Sequence, residues 1–220
     1  ILVTAGPTRE FWDPVRYLSN RSSGKMGYAL ARAAARRGHA VTLVSGPVAL
    51  PPPDGVRLVS VVSAADMKKA VDTAWPRTDV LIMAAAVADW RPRRVSRRKL
   101  KKRGGPPVLE LERTEDILGS LAGRKGNRLV IGFAAETDRV LAEASRKLRE
   151  KDLDLIVAND VSRKDAGFEV DTNRVALLAP DKRPRRWPLL SKDAVAERLI
   201  AWVEARWASH ARRQAAGRHP

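Results

Sequence analysis

The sequence predicts an α/β fold, a doubly wound, mostly parallel Rossmann-like sheet with a β-hairpin extension. Short β-rich runs alternate with helical patterns in the β-α-β-α-β order of a parallel sheet. The runs around residues 79–89 and 128–137 are almost wholly apolar, as strands buried on both faces are. No repeat and no linker divides the chain, so one domain is expected over residues 1–207, with a basic tail at 208–220.

Taken in order, "ILVTAG" at 1–6 reads as the first strand. A helix is expected to begin near Ser23 or Gly24 and end at Gly38, because Met26, Leu30 and Ala33/Ala34 recur at helical spacing before a C-terminal glycine. "AVTLVSG" at 40–46 and "VRLVSVVS" at 56–63 are strands, and Ser63 with Asp66 forms a capping box for the next helix. The apolar run "DVLIMAAAVAD" follows; then "VLELERT" reads as a strand, "EDILGSL" as a short helix and "RLVIGFAAET" as a buried strand. "DRVLAEASRKLREK" places Val140, Ala144 and Leu148 at i, i+4, i+8, and "LDLIVAND" is a further strand. "NRVALLAP" and "RRWPLL" form the hairpin, and a last helix at about 192–207 sets Val195, Leu199, Trp202 and Val203 on one face.

The chain has 220 residues, 44% of them hydrophobic, and no run long enough to span a bilayer. It has no cysteine, which excludes a disulfide framework and a zinc-finger site. It opens in a β-like run at Ile1 without a signal-like segment or methionine, which suggests a piece of a longer polypeptide. The formal charge of +17 is uneven: residues 90–105 carry nine Lys/Arg and no acid. Such a balance points to polyanions, either nucleic acid or a phosphorylated small molecule under a basic flap. Only Trp90 flanks the cluster, whereas RNA modules interleave aromatics with basic residues.

The chemistry is expected at the carboxyl ends of the strands. The connection "TAGPTREFWDPVRYLSNRSSGK" has neither the dinucleotide nor the P-loop glycine spacing, and its length marks it as functional. Ser22, Ser23, Gly24 and Lys25 at the helix start form an anion site, or else an ordinary serine cap with a surface lysine. Asn20 offers an amide to a substrate carbonyl or carboxylate, or caps its own loop. Asp89 meets a metal-bound phosphate or a ribose, or pairs with a nearby arginine; Lys99 neutralises a polyphosphate, or is solvated. Phe133 stacks on a base or belongs to the core. Lys147 and Lys151, one turn apart, share an anion or pair with Glu143 and Glu150. A nicotinamide-dependent oxidoreductase and a nucleic-acid-binding protein are the competing readings.

The ordered motifs "TAGPTRE", "DPVRYLSNRSSGKMGYALA", "VTLVSGPV", "AAAVADWRP", "KLKK", "GFAAET" and "LDLIVANDVS…GFEVDTNRV" go further. From Ile1 to about Ile200 they closely resemble bacterial, CTP-dependent phosphopantothenate–cysteine ligase, also called phosphopantothenoylcysteine synthetase. The resemblance implies an acyl-cytidylate made from CTP and 4'-phosphopantothenate, from which the amine of L-cysteine displaces CMP. It places Asn20 on the pantothenate part and in the second step, and Lys99 as the essential flap lysine on the nucleotide. Asp89, Phe133, Lys147 and Lys151 match nucleotide-binding positions, and Glu115, Asp116, Ile117 and Leu118 match the loop beside the base. Mg²⁺ would accompany CTP with few protein ligands. The family pattern also implies a cytoplasmic homodimer with residues 161–178 at the interface, and a linked flavin-dependent decarboxylase domain outside this segment, which itself holds no flavin. No specific nucleic acid and no membrane is expected as a partner. Two departures stand out: Glu115 where the family has proline, and "REFWDP" where it has "REPxDP".

Overall fold

The computed structural model describes residues 1–101, 108–136, 138–160, 167 and 169–216. Strand β1 (Leu2–Ala5) leads into a small antiparallel hairpin, β2 (Arg9–Phe11) with β3 (Tyr17–Ser19), and then into helix α1 (Lys25–Arg36). Next come β4 (Val41–Ser45), β5 (Val56–Ser60), α2 (Ala64–Ala74) and β6 (Val80–Met83). A second hairpin pairs β7 (Trp90–Pro92) with β8 (Leu111–Arg113). The chain continues through α3 (Ile117–Leu121), β9 (Leu129–Glu136), α4 (Val140–Glu150) and β10 (Leu155–Asp160). It closes with β11 (Thr172–Asn173), β12 (Val175–Leu178), β13 (Arg185–Arg186), β14 (Leu190–Ser191) and α5 (Lys192–Ala216).

The central sheet has eight strands in the order β13-β12-β10-β9-β6-β1-β4-β5. From β10 to β5 all neighbours are parallel, and β12 and β13 add an antiparallel edge. Side chains alternate between two apolar layers. Val3, Ile82, Ile131 and Val157 pack with α1 and α5, whereas Leu2, Leu81, Val130 and Ile156 pack with α2, α3 and α4. Each fully buried Leu or Ile stabilises the fold by roughly 1.5–3 kcal/mol relative to exposure. The strand direction therefore places six parallel carboxyl ends on one edge, with the topological switch between β1 and β6.

The expected capping box is present: Ser63 Oγ accepts from Asp66 N–H and Asp66 Oδ2 accepts from Ser63 N–H. Four expectations need correction. The long first connection is not a plain loop, because "REF" and "YLS" pair across a turn at Asp13–Pro14. The basic stretch grows from a hairpin, β7–β8, so its ends are held together. The helix after Glu115 begins only at Ile117, because Asp116 is its N-cap and accepts from Gly119 N–H. Helix α5 continues to Ala216, past the boundary at 207, through a sequence without Gly or Pro.

The apolar strand after Asn173 is paired on both sides, as the expected hairpin implies. β13 pairs with β12 through Ala176–Arg186 and Leu177–Arg185, and Val175 to Leu178 are all buried. Within the expected interface segment, residues 161–166 and 168 lie outside the described residues, as do 102–107 of the basic stretch and 217–220 of the tail.

Candidate functional site

The loops that follow β1 and β6 are bonded to each other. Thr8 Oγ1 accepts from Ala88 N–H at 2.9 Å, Ala86 N–H donates to Gly6 O at 2.9 Å, and Asn20 Nδ2 donates to Ala86 O and Val87 O at 3.1 Å each. Thr8 is wholly buried, so this junction is fixed. Above it opens a cleft of about 810 Å³.

Its near wall is the start of α1. Gly24 has φ of 77°, and a Cβ there would lie 2.8 Å from Val48 Cγ1, so any side chain at this position would be strained. The N-cap of α1 is Gly24, which has no side chain to cap the helix, and Ser22 Oγ accepts from Gly24 N–H at 3.3 Å, so the ordinary local role expected as the alternative is present for Ser22. Ser22, Ser23, Gly24 and Lys25 all line the cleft, and the first-turn N–H groups of a helix lack intrahelical partners. Lys25 is engaged: its Nζ lies 2.6 Å from Asp171 Oδ1 and 3.3 Å from Glu169 O. The pairing with Lys25 holds the Asp171 carboxyl below its ordinary range.

The other wall gathers Asp89, Glu115, Asp116, Ile117, Leu118, Phe133, Lys147 and Lys151. Ile117 and Leu118 are buried, which seats the 115–118 loop on the core, and Phe133 is half-buried at the end of the sheet, packed on the core and facing the cleft. The two lysines pair with carboxylates other than those expected. Lys147 Nζ meets Glu136 Oε1 at 2.6 Å and Lys151 Nζ meets Asp116 Oδ1 at 3.1 Å, while Arg146 takes Glu143 and Glu150. The reason is geometric: α4 presents Lys147 and Lys151 to the cleft, and Arg146 lies between the two acids on its own helix. Glu115 forms a 3.2 Å pair with Lys68, which also binds Asp72 at 2.6 Å and has its ammonium held above the usual range by both partners. The 115–118 loop is thus tied to α2 at the position where the family pattern has proline.

The expected role of Asn20 changes. Its Nδ2 is spent on two backbone carbonyls, so the atom left for a ligand is Oδ1, an acceptor suited to an amine rather than to a carboxylate. Asp89 is exposed at the cleft, and its backbone oxygen accepts from Thr114 N–H at 2.9 Å. Lys99 is not brought to the cleft; it lies exposed on the arm beyond β7.

The sequence reading missed Asn159, Asn173 and Lys192 at the closed end. Asn159 Nδ2 donates to Asn173 Oδ1, and Asn159 Oδ1, on a residue only 8% exposed, has no protein partner among the described residues. Lys192 is 6% exposed; its Nζ donates to Gly167 O at 3.1 Å and to Val170 O. Burial, with Lys25 nearby, lowers its ammonium to about 8. The usable signal was the "VAND" end of a buried strand, where an asparagine interrupts an apolar run. Lys192 carried none, since a lysine in the first turn of a helix ordinarily faces water.

Comparison with known proteins gives a consistent result. Residues 1–206 match the family described as DNA/pantothenate metabolism flavoprotein C-terminal domain. The chain is 47% identical over 206 residues to coenzyme A biosynthesis bifunctional protein CoaBC of Bacillus subtilis, covering 93% of this chain and 51% of that one. It is 45% identical over 217 residues to the Escherichia coli protein of the same name, covering 97% and 53%. The chain thus spans about half the length of the curated relatives it matches. Among solved structures, the C-terminal domain of a CoaBC protein superposes with a TM-score of 0.81 at 46% identity, covering 94% of this chain and 95% of that one. A DNA/pantothenate metabolism flavoprotein from Streptococcus pneumoniae shares the fold at 22% identity, with a TM-score of 0.79 and coverage of 93% and 97%.

Proposed function

The chain belongs to the family of the DNA/pantothenate metabolism flavoprotein C-terminal domain, and on that premise we propose that it is a CTP-dependent ligase joining 4'-phosphopantothenate to L-cysteine. The observation that carries the reading is the cleft at the switch point. It is lined by the start of α1, Asn20, Asp89, the 115–118 loop, Phe133 and two lysines of α4.

In the first step the pantothenate carboxylate attacks the α-phosphorus of CTP. A carboxylate O–P bond forms, the α–β phosphoanhydride breaks and pyrophosphate leaves. Several negative charges meet there, so the protein's contribution is positive potential and position rather than a general base. Lys147, Lys151 and the N–H groups of α1 supply that potential, with Lys99 joining from the arm. Phe133 supports the base beside residues 115–118. In the second step the cysteine amine attacks the acyl carbon, the bond to the cytidylate oxygen breaks, and CMP leaves as the nitrogen loses a proton. In this reading Asn20 Oδ1, left free of the Nδ2 bonds to Ala86 O and Val87 O, accepts from that amine. Among the described residues no group of three or more His, Cys, Asp or Glu converges as a metal cage. A Mg²⁺ would therefore be carried by the nucleotide's phosphates, and no step is assigned to it.

The homodimer and a linked flavin-dependent decarboxylase domain are part of this proposal; a cytoplasmic setting accords with the finding that no described helix is long and apolar enough to cross a membrane. The test is incubation with CTP and phosphopantothenate without cysteine, followed by mass-spectrometric search for the acyl-cytidylate. It should form with the native chain and fail to form with Lys99→Gln, whose melting temperature should stay unchanged because Lys99 is exposed. Normal pyrophosphate release by that variant at saturating CTP would sink the role of Lys99.

A further inference from the structure

Asp13 lies in the turn of the β2–β3 hairpin, yet its side chain is fully buried, at 0% exposure. Five donors reach it. Oδ1 accepts from the N–H groups of Val15 and Arg16, at 2.8 and 2.9 Å. Oδ2 accepts from Arg16 Nε at 3.0 Å, Arg16 Nη2 at 2.6 Å and the N–H of Leu100 at 3.2 Å. Burial alone would push this carboxyl up, but these donors outweigh it and hold the group well below the usual carboxylate range.

The first four contacts organise the local turn. The fifth does not: Leu100 comes from the basic arm. Its carbonyl is held as well, because Arg16 Nη2 donates to Leu100 O at 2.9 Å. Both backbone groups of one arm residue are therefore engaged by a single ion pair. A second tie lies four residues earlier, where Ser96 N–H donates to Trp12 O at 2.8 Å. Around these ties Arg93, Arg94, Arg97, Arg98 and Lys99 are exposed.

We propose that Asp13, acting through Arg16, is the positioning residue of the basic arm, fixing its backbone at Leu100 so that the Lys99 side chain reaches the bound nucleotide from a prearranged rim. The role of Lys99 rests on the ligase reading; the anchor rests on the geometry. Lys99 is outside the cleft lining, whereas Trp90 and Arg113 at the foot of the arm are part of it. With the backbone held, only a side-chain swing is left to order when nucleotide enters, which lowers the cost of binding. A carboxylate needed only for its own turn would require no donor from the arm.

The experiment is brief trypsin treatment alongside steady-state kinetics. Asp13→Asn keeps the shape of the side chain and weakens its hold on Arg16 and Leu100. Cleavage after Arg97, Arg98 and Lys99 should become about tenfold faster than in the native chain, and KM for CTP should rise about tenfold with kcat kept within about twofold. Ser96→Pro removes the N–H that reaches Trp12 O, together with the hydroxyl that bonds Arg98 O and Arg98 N–H, and leaves the buried carboxylate alone. It should move both readouts in the same direction by a smaller factor, even if Asp13→Asn folds poorly. Native-like cleavage in Ser96→Pro and in folded Asp13→Asn would overturn the anchor, and faster cleavage with an unchanged KM would overturn its positioning role. Should the native chain consume no CTP, the ligase reading fails while the cleavage rates still decide the anchor.

Discussion

Asn20 is the residue whose proposed role the hydrogen bonds constrain most. Replacing it by aspartate exchanges two N–H donors for lone pairs facing Ala86 O and Val87 O, so the side chain is expelled and Oδ1 is lost from its place. The expected outcome for Asn20→Asp is accumulation of acyl-cytidylate, with amide formation slowed by about tenfold or more and the first step within about threefold. Rapid-quench measurement of the two half-reactions checks it; equal loss of both counts against the assignment. Lys192 gives a prediction in pH. Its ammonium is lowered from 10.5 to about 8, so between those values the unfolded chain binds the extra proton. The stabilising contribution is complete above about 10.5 and is lost as pH falls to about 8. Lys192→Met should flatten that rise in melting temperature; a variant that keeps the native slope would show that another group produces it. Residues of this kind were not legible in the sequence, because only the fold decides whether a lysine points to water or a cleft.

At the scale of elements, strands and helices were legible wherever the pattern was continuous. The alternation of "LVTA", "VLIM" and "LIVA" between two apolar layers left few other ways to bury them. Of the two hairpins only β8 was legible, inside "VLELERT"; β2, β3 and β7 are three residues each and largely exposed, too short for a periodicity of two to register. They nevertheless carry Asp13 and the base of the arm. The contact between α1 and β1 was equally hidden, since Gly27 in mid-helix reads only as a weak helix former. A Cβ on Gly27 would lie 2.5 Å from Ala5 Cβ and 2.9 Å from Thr4 O. Gly27→Ala should therefore push α1 off the strand and destabilise the protein by about 1–3 kcal/mol, although alanine is the better helix former. Urea denaturation measures it, and an unchanged or higher midpoint would show that the helix shifts without cost. Because α1 also forms the near wall of the cleft, the same variant should bind CTP less tightly.

The whole molecule presents a net charge of +17 and a covered sheet edge at β13, and the two bear on assembly. With β12 already paired, a second copy has only two-residue β13 to extend on that side of the sheet, and Arg185 and Arg186 of β13 are exposed and cationic. A homodimer must therefore use surface other than strand addition at β12. Sedimentation equilibrium at micromolar concentration should give about 48 kDa, twice the 24.2 kDa chain; a 24.2 kDa species with full ligase activity would rule out a shared site. The charge also bears on ligand entry, but less simply than its size suggests. Lys147 and Lys151 face the cleft already neutralised by Glu136 and Asp116. On the proposed ligase function, an arriving triphosphate would exchange partners with two carboxylates rather than meet bare cations, and its gain would be the difference between two ion pairs. Added salt weakens the old pairs along with the new ones, so nucleotide affinity is expected to fall only gently with ionic strength. Loose adsorption of polyanions to the exposed arginines has no such exchange and disappears steeply. In a protein this basic, tolerance of salt thereby becomes the mark of the anion that belongs in the cleft.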